Sequence, residues 1–400
     1  MPNTNSTPNR PTPARRIATV EEYYFSRKLR EIAELRAAGA DIVSLGIGGP
    51  DLPPAPEVIA ALTADAARPD AHGYQPYVGL PELRAAFADW YGRHYGVALD
   101  PATEIQPLIG SKEGILHITL AFVNPGDGVL VPNPGYPTYT SVSRLAEARI
   151  INYDLDEAHG WQPRFEQLEQ MDLSGVKLMW VNYPNMPTGA PASAELFERL
   201  VDFGHRHGIV IVNDNPYSFI LHSRQLSLLA TPGAADIAIE MNSLSKSHNM
   251  PGWRIGMVAA NHDFIQWILR VKSNIDSGQF RPMMKAAVEA LRLPDEWYTR
   301  VNAVYARRRR IAEQIATALG CTFDPRQGGL FLWARIPERC PSAAELADRV
   351  LYDANVFITP GFIFGSRGER HIRISLCATE ENMHEALRRI QTLTLNNDNK

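Results

Sequence analysis

The stretch SLSKSHNMPGWRIG, residues 243–256, follows the apolar run IAIEM after a single asparagine. A short apolar run of this kind is the pattern of a strand covered by helices on both faces. Lys246 therefore sits just past a strand's C-terminal end, the region where open α/β sheets bind their ligands. Two hydroxyls, Ser243 and Ser245, flank the amine, and Arg254 follows in the same loop. Hydroxyls, a guanidinium and turn amides together can bind a phosphate dianion. A lysine among cations also loses its proton more readily, which suits imine formation with an aldehyde. An isolated Ser-x-Ser-Lys turn, by contrast, reads as a surface lysine, so the rest of the chain has to decide.

Working outward, the same strand pattern recurs in VKLMWVN and GIVIVND. Strands are predicted over 105–109, 128–131, 149–153, 176–182, 209–213, 237–241 and 255–259, with helices between several of them at 113–123, 194–207 and 263–271. This alternation is that of an α/β domain with a mainly parallel sheet. Past about residue 293 the style changes. A long helical stretch, 297–319, precedes apolar segments at 329–334, 356–358 and 371–376, with helices at 343–353 and 380–393. A smaller α+β domain is expected there. The division predicted is a disordered tail over 1–16, a segment 17–50 joining the small domain, a large domain 51–293 and a small one 294–400. Four hundred residues suit such a two-domain plan.

Further loops carry chemistry at strand ends. In NDNPY, Asp214 follows the run GIVIV, where its carboxylate can pair with a protonated ring nitrogen, and Tyr217 can donate to a ring oxygen. In NYPNMPTG, Asn185 offers a second side-chain donor for that oxygen. In PLIGSKEG, Gly-Ser-Lys opens a helix, so the amides there with Ser111 and Lys112 make an anion site. In PNPGYPTY, Tyr136 can stack on a flat ring. In HIRISL, Arg373 is a charge set into an alternating strand. It needs an anionic partner, and bidentate geometry suits a carboxylate; an internal salt bridge competes with that reading. Each loop alone is an ordinary turn, cap or core element.

Composition narrows the classes. A net charge of −4 gives no basic field for nucleic acid. The one basic run, Arg307–Arg310, reads as a solvated helix face. Three scattered cysteines form neither a disulfide framework nor a zinc site, and no metal is expected. No apolar stretch is long enough for a membrane span, and the N-terminus lacks the apolar region of a signal peptide. A cytoplasmic protein is expected.

Taken together and in this order, the motifs make the chain resemble the class I/II aminotransferases of fold type I, the aspartate aminotransferase superfamily, from about Tyr23 to about Leu393. The resemblance implies the PLP-dependent transferase fold and pyridoxal 5′-phosphate as cofactor. It implies that Lys246 holds the cofactor as a Schiff base, that Asp214 pairs with the ring nitrogen and that Asn185 and Tyr217 hold the ring oxygen. Tyr136 would stack over the ring, Ser111, Lys112, Ser243, Ser245 and Arg254 would surround the phosphate, and Arg373 would clamp the substrate carboxylate. Tyr74 matches a tyrosine that reaches the neighbouring subunit's phosphate, which implies a homodimer with shared sites. Gly48 matches a glycine whose backbone touches substrate, and Tyr23 and Asn274 fall where partner-subunit or distal-substrate contacts occur. Within the superfamily, GIGGPDLPP, GSKEG and NMPGWRIG look like the LL-diaminopimelate, aspartate and alanine aminotransferase branch. Two departures stand out: Asn-Met-Pro where Asn-Asn-Pro is usual, and Gly49 in place of a frequent Asp or Ser. Neither falls on a residue assigned to the chemistry.

The expected reaction is ping-pong transfer of an amino group from an L-amino acid to a 2-oxo acid, Lys246 acting as base and then acid. The preferred donor is acidic or a diamino diacid with 2-oxoglutarate as acceptor, ahead of alanine or methionine. A β-lyase acting on C–S bonds would use the same lysine and ring contacts. A PLP-binding regulator would carry a DNA-binding domain ahead of the fold, and only about twenty residues precede it here.

Overall fold

The computed structural model describes residues 11–20, 22 and 24–397. Its strands, in chain order, are β1 (Val43–Ser44), β2 (Ile105–Leu108), β3 (Gly128–Asn133), β4 (Arg149–Asp154), β5 (Val176–Val181), β6 (Val210–Asp214), β7 (Ala238–Ser243), β8 (Gly256–Ala259), β9 (Phe331–Arg335), β10 (Val356–Phe357), β11 (Thr359–Pro360) and β12 (His371–Ser375). The predicted strands of the large domain all form, with ends shifted by a residue or two.

Seven strands make the central sheet in the order β2-β8-β7-β6-β5-β3-β4. All neighbours are parallel except β8, which runs antiparallel to both β7 and β2. Alternation along β5 explains its burial on both sides. Leu178 and Trp180 join the core beneath helices Ser111–Phe122 and His262–Lys272, whereas Met179 and Val181 face helices Pro81–Tyr95, Ala194–His207 and Arg281–Leu291. Local chemistry sets the helix ends. Ser193 caps Ala194–His207 by accepting from the Leu196 amide at 3.1 Å, and Gly208 closes it at φ 63°.

The smaller layer holds an antiparallel sheet, β11-β12-β9, and a parallel pair, β1-β10, in which the N-terminal segment joins the C-terminal part of the chain. Of the tail expected over 1–16, residues 1–10 lie outside the described residues. Arg15–Thr19 forms a 3-10 turn whose Arg16 pairs with Glu147 at 3.0 Å.

The middle of the basic run departs from expectation, whereas Arg307 and Arg310 are exposed. On helix Asp295–Ala318, Arg308 and Arg309 are buried, not solvated. Arg308 grips Asp51 with both nitrogens, at 2.6 and 2.8 Å, and donates to the Leu376 carbonyl at 3.1 Å. Arg309 donates to Glu313 at 2.9 Å and to the Gln327 carbonyl at 2.7 Å. A buried guanidinium is tolerated because carboxylate and carbonyl partners replace its water.

The topology decides where a site can form. Parallel strands β3, β5, β6 and β7 deliver their C-terminal ends to one edge. Because β8 is reversed, its beginning lies at that same edge, and Gly256 is paired with both Ser243 and Leu108. Four loops distant in sequence thus converge there with the start of β8.

Candidate active site

A cavity of about 380 Å³ opens at this edge, between the sheet ends and the small layer. Lys246, on the single-turn helix Leu244–Ser247, reaches into it and donates to the Gly48 carbonyl at 2.6 Å. Burial pushes its pKa down, and the charges of Arg373 and Arg254 push the same way, opposed by Cys377 and Asp214. The amine is therefore easier to deprotonate than a surface lysine.

On one flank lies a cup of donors. Ser243, Ser245, Ser111, Lys112 and Arg254 all line the cavity. Ser245 donates its amide to Ser243 Oγ at 3.1 Å, and the two hydroxyls are 2.9 Å apart. Helix Ser111–Phe122 starts here, so its first amides have no partner within the helix. A Cβ added at Gly110 would lie 2.1 Å from Arg254 Nη2, and its φ is +74°, so the guanidinium can approach only because this residue is glycine. Arg254 itself adopts a left-handed φ of 56°, a conformation that costs a non-glycine residue energy. The Gln279 amide holds it by donating to the Arg254 carbonyl at 2.9 Å. Hydroxyls, guanidinium and helix amides suit a phosphate dianion.

Across the cavity, Asp214 ends β6. Tyr139 donates to its Oδ2 at 2.9 Å, whereas Oδ1 is buried and has no hydrogen-bond partner among the described residues. Burial raises its pKa to about 6, against the lowering effect of Tyr139 and Lys246. An orphaned buried carboxylate oxygen costs stability until a donor arrives. A protonated heterocycle supplies both the donor and the opposite charge.

Tyr217 is buried in the wall, and its hydroxyl makes no hydrogen bond among the described residues. Tyr136 lines the cavity and meets Tyr139 edge-on at 5.6 Å. Arg373, on β12, is buried with its guanidinium 3.9 Å over the Phe331 ring and 4.7 Å from that of Phe364. Its Nη2 donates to the Gly46 carbonyl at 2.9 Å. Gly48 is required as glycine, since a Cβ there would fall 2.3 Å from Phe331.

Other expected residues fall elsewhere. Asn185 does not line the cavity. Its Nδ2 donates to the Asn182 carbonyl at 3.2 Å, and its Oδ1 accepts from the Thr188 hydroxyl at 2.7 Å, so its amide closes its own turn. Asn182 and Met186 of that loop face the cavity instead, so the Asn-Met-Pro departure does reach the site. Tyr74 and Asn274 lie outside this chain's own cavity; both are exposed, Tyr74 by 93%. Tyr23 lies outside the described residues.

Sequence reasoning missed Tyr139, which orients Asp214 and stacks on Trp180 at 5.0 Å. Its signal was the second tyrosine of PNPGYPTY, one helical turn beyond Tyr136 and so on the same helix face. Phe331 and Phe364, which sandwich Arg373, and Phe25, which lines the cavity, gave no such signal.

A family model described as aminotransferase class I and II matches residues 40–390. The chain belongs to that family. This aminotransferase is 42% identical to the LL-diaminopimelate aminotransferase of Moorella thermoacetica over 380 residues, 94% of this chain and 97% of that one. Among solved structures, substrate-bound BacF from Bacillus subtilis superposes with a TM-score of 0.91 at 35% identity, covering 96% of this chain and 98% of the other. A single mutant of Thermus thermophilus aspartate aminotransferase gives a TM-score of 0.88 at 26% identity, covering 96% of this aminotransferase and all of its counterpart, 100%.

Proposed function

We propose that this aminotransferase holds pyridoxal 5′-phosphate in the cavity and uses it to move the amino group of LL-diaminopimelate to 2-oxoglutarate by a ping-pong mechanism. The observation that carries the cofactor reading is the three-point arrangement of an anion cup, a half-buried lysine and an orphaned Asp214 oxygen around one cavity. The substrate reading rests on the identity of about 40% to proteins named LL-diaminopimelate aminotransferase along nearly the whole chain.

When bound, the cofactor supplies an aldehyde that joins amines and a protonated ring that withdraws electrons from the substrate's α-carbon. Asp214 keeps the ring nitrogen protonated. Arg373 holds the α-carboxylate with two charge-assisted hydrogen bonds, which fixes the α-carbon beside Lys246. Lys246 Nζ, neutral once freed, would take the α-proton as base and give it back as acid at the carbon that had been the aldehyde. Tyr136 covers one face of the ring, and Ser111, Lys112, Ser243, Ser245 and Arg254 anchor the phosphate. We place the enzyme in the cytoplasm as a homodimer, with Tyr74 reaching a neighbour's phosphate and Asn274 at a partner-subunit or distal-substrate contact. Free thiols at Cys321, Cys340 and Cys377 fit a reducing compartment.

Two measurements test this. Borohydride treatment of the cofactor-loaded protein should leave a pyridoxyl group on Lys246; recovery on Lys112 would refute the lysine assignment. A donor screen with 2-oxoglutarate should rank LL-diaminopimelate above alanine, methionine and aspartate. Faster turnover of a neutral donor would overturn the substrate while leaving the enzyme class standing.

A further inference from the structure

The pyridine ring of the proposed cofactor carries its nitrogen and its aldehyde carbon at opposite ends. The phosphate arm and the phenolic oxygen project from opposite flanks beside the aldehyde. Once Asp214, Lys246 and the phosphate cup fix three of these positions, the fourth follows. The cup lies over β2, β8 and β7, so the phenolic oxygen must face the loops after β6 and β5, on the other side of Lys246 in the sheet order. The residues those loops turn to the cavity are Pro216, Tyr217, Asn182 and Met186, and proline has no side-chain donor.

Their donors can be followed individually. The Asn182 Nδ2 donates to the Asp214 carbonyl, and its Oδ1 accepts from the Met186 amide at 2.8 Å. Its oxygen and one of its two amide protons are thereby engaged in holding the loop. Asn185 closes its own turn, whose backbone is pinned by the Asn185 amide on the Ala190 carbonyl at 2.8 Å and the Gly189 amide on the Asn185 carbonyl at 2.8 Å. What stands at the cavity wall is the Met186 thioether, whose sulfur lies 3.6 Å from Arg373 Nη1. A thioether offers no proton. The Tyr217 hydroxyl remains, with no partner among the described residues to divert it.

We propose that Met186 leaves the phenolic-oxygen flank with one hydrogen-bond donor, the Tyr217 hydroxyl, so that the linkage between Lys246 and the cofactor keeps its proton to higher pH than a two-donor site would allow. The physical reason is charge sharing. Each donor to the phenolate draws negative charge away from the neighbouring linkage proton and makes that proton easier to lose. Removing a donor concentrates the charge and holds the proton more tightly. Met186 is in this sense a positioning residue for the ring's charge, acting through the donor it fails to supply.

The inference rests on the cofactor reading, and one titration separates the two. The visible absorption of the cofactor-loaded protein, followed against pH without substrate, gives the midpoint at which the linkage loses its proton. Met186→Leu should leave the midpoint unchanged. Met186→Asn and Met186→Gln, the longer amide serving if the shorter one fails to fold or to reach, should lower it by about one unit, the scale of one hydrogen bond to a charged group. Tyr217→Phe, which needs no change at Met186, should raise it by about as much. If both amide variants titrate like Met186→Leu, or if Asn182→Ala or Asn185→Ala raises the midpoint as far as Tyr217→Phe does, a second donor is already present and the inference falls. If no form of the protein develops a visible band with pyridoxal phosphate, the cofactor reading falls and takes the inference with it.

Discussion

His371 stands two residues before Arg373 on β12, stacked on Trp333 at 5.0 Å and edge-on to Trp161 at 5.2 Å. Burial pushes its pKa down to about 4, with Arg335 and Arg370 acting in the same direction. The nearest carboxylate, Glu157, lies 4.0 Å away and is half exposed, too weak a partner to hold a proton there. In the unfolded chain the ring titrates near 6.5. Its neutral burial thus contributes stability that is present above that value and lost as pH falls towards about 4. His371→Phe keeps the stacking and removes the titration. Between pH 7.5 and 5 the parent should lose about 2 kcal/mol more than this variant, read from urea unfolding. Parallel losses in the two proteins would show that the ring titrates alike in the folded and unfolded chains. The same scale shows what a sequence reveals about a site. Lys246, Asp214 and Arg254 were legible because they flank strand ends, and strand ends can be found from apolar runs. Which of Asn185 and Met186 faces the cavity was not, because it depends on how Asn182 closes the turn.

Two helices are joined by a buried charge cluster that no motif announced. Lys272, at the end of His262–Lys272, is 2% exposed, with Nζ donating to Glu113 at 2.6 Å and to Asp276 at 2.7 Å. His117 also contacts Glu113, at 2.6 Å. Glu113 in turn accepts the Ile109 amide, so the cluster braces the turn that presents Ser111 and Lys112. Removing the ammonium leaves two carboxylates facing each other in a half-buried site. Breaking a buried pair of this kind costs about 3–5 kcal/mol. Lys272→Met should lower the unfolding midpoint accordingly and weaken retention of the cofactor on dialysis. Adding Glu113→Gln should restore part of the loss, since one of the two stranded charges is then gone; a double variant no better than the single would show that packing, not charge, is what Lys272 provides. Elements differ in legibility for similar reasons. Helices Pro56–Ala66, Pro81–Tyr95 and Arg281–Leu291 went unnoticed although each has a proline in its first turn, a start signal weaker than the periodic runs around it. The middle of the Arg307–Arg310 run was misjudged because the partner that buries Arg308 is Asp51, 257 residues away in sequence.

At the scale of the molecule, two surface loops argue for a second chain. Tyr74 is 93% exposed, and Tyr77, Ile275 and Phe280 nearby are 47%, 52% and 42% exposed. His72 stacks on Phe280 at 5.9 Å, and Gly278 packs so closely that a Cβ would lie 2.5 Å from the carbonyls of Gln75 and Pro76. The two loops therefore form one apolar patch, the kind of surface that a monomer rarely leaves open. The first is tied to β2 through Gln106 on the Tyr77 carbonyl at 2.9 Å, and the second to the anion cup of its own chain through Gln279 on the Arg254 carbonyl at 2.9 Å. A twofold partner docked on the patch would bring each Tyr74 towards the other chain's cup, because an isologous interface repeats every contact in reverse. Active sites shared in this way can be tested by mixing two crippled chains. Lys246→Ala lacks the base, and Tyr74→Phe lacks the crossing hydroxyl. In a mixed dimer, one site combines Lys246 from the second chain with Tyr74 from the first and carries neither lesion. Random exchange makes about half of all dimers mixed, so roughly a quarter of the sites should be intact. Activity should rise to about that fraction of the parent's after exchange and stay at the sum of the two variants before it. If differently tagged chains are shown to have exchanged and no activity returns, Tyr74 serves its own subunit and the sites are not shared.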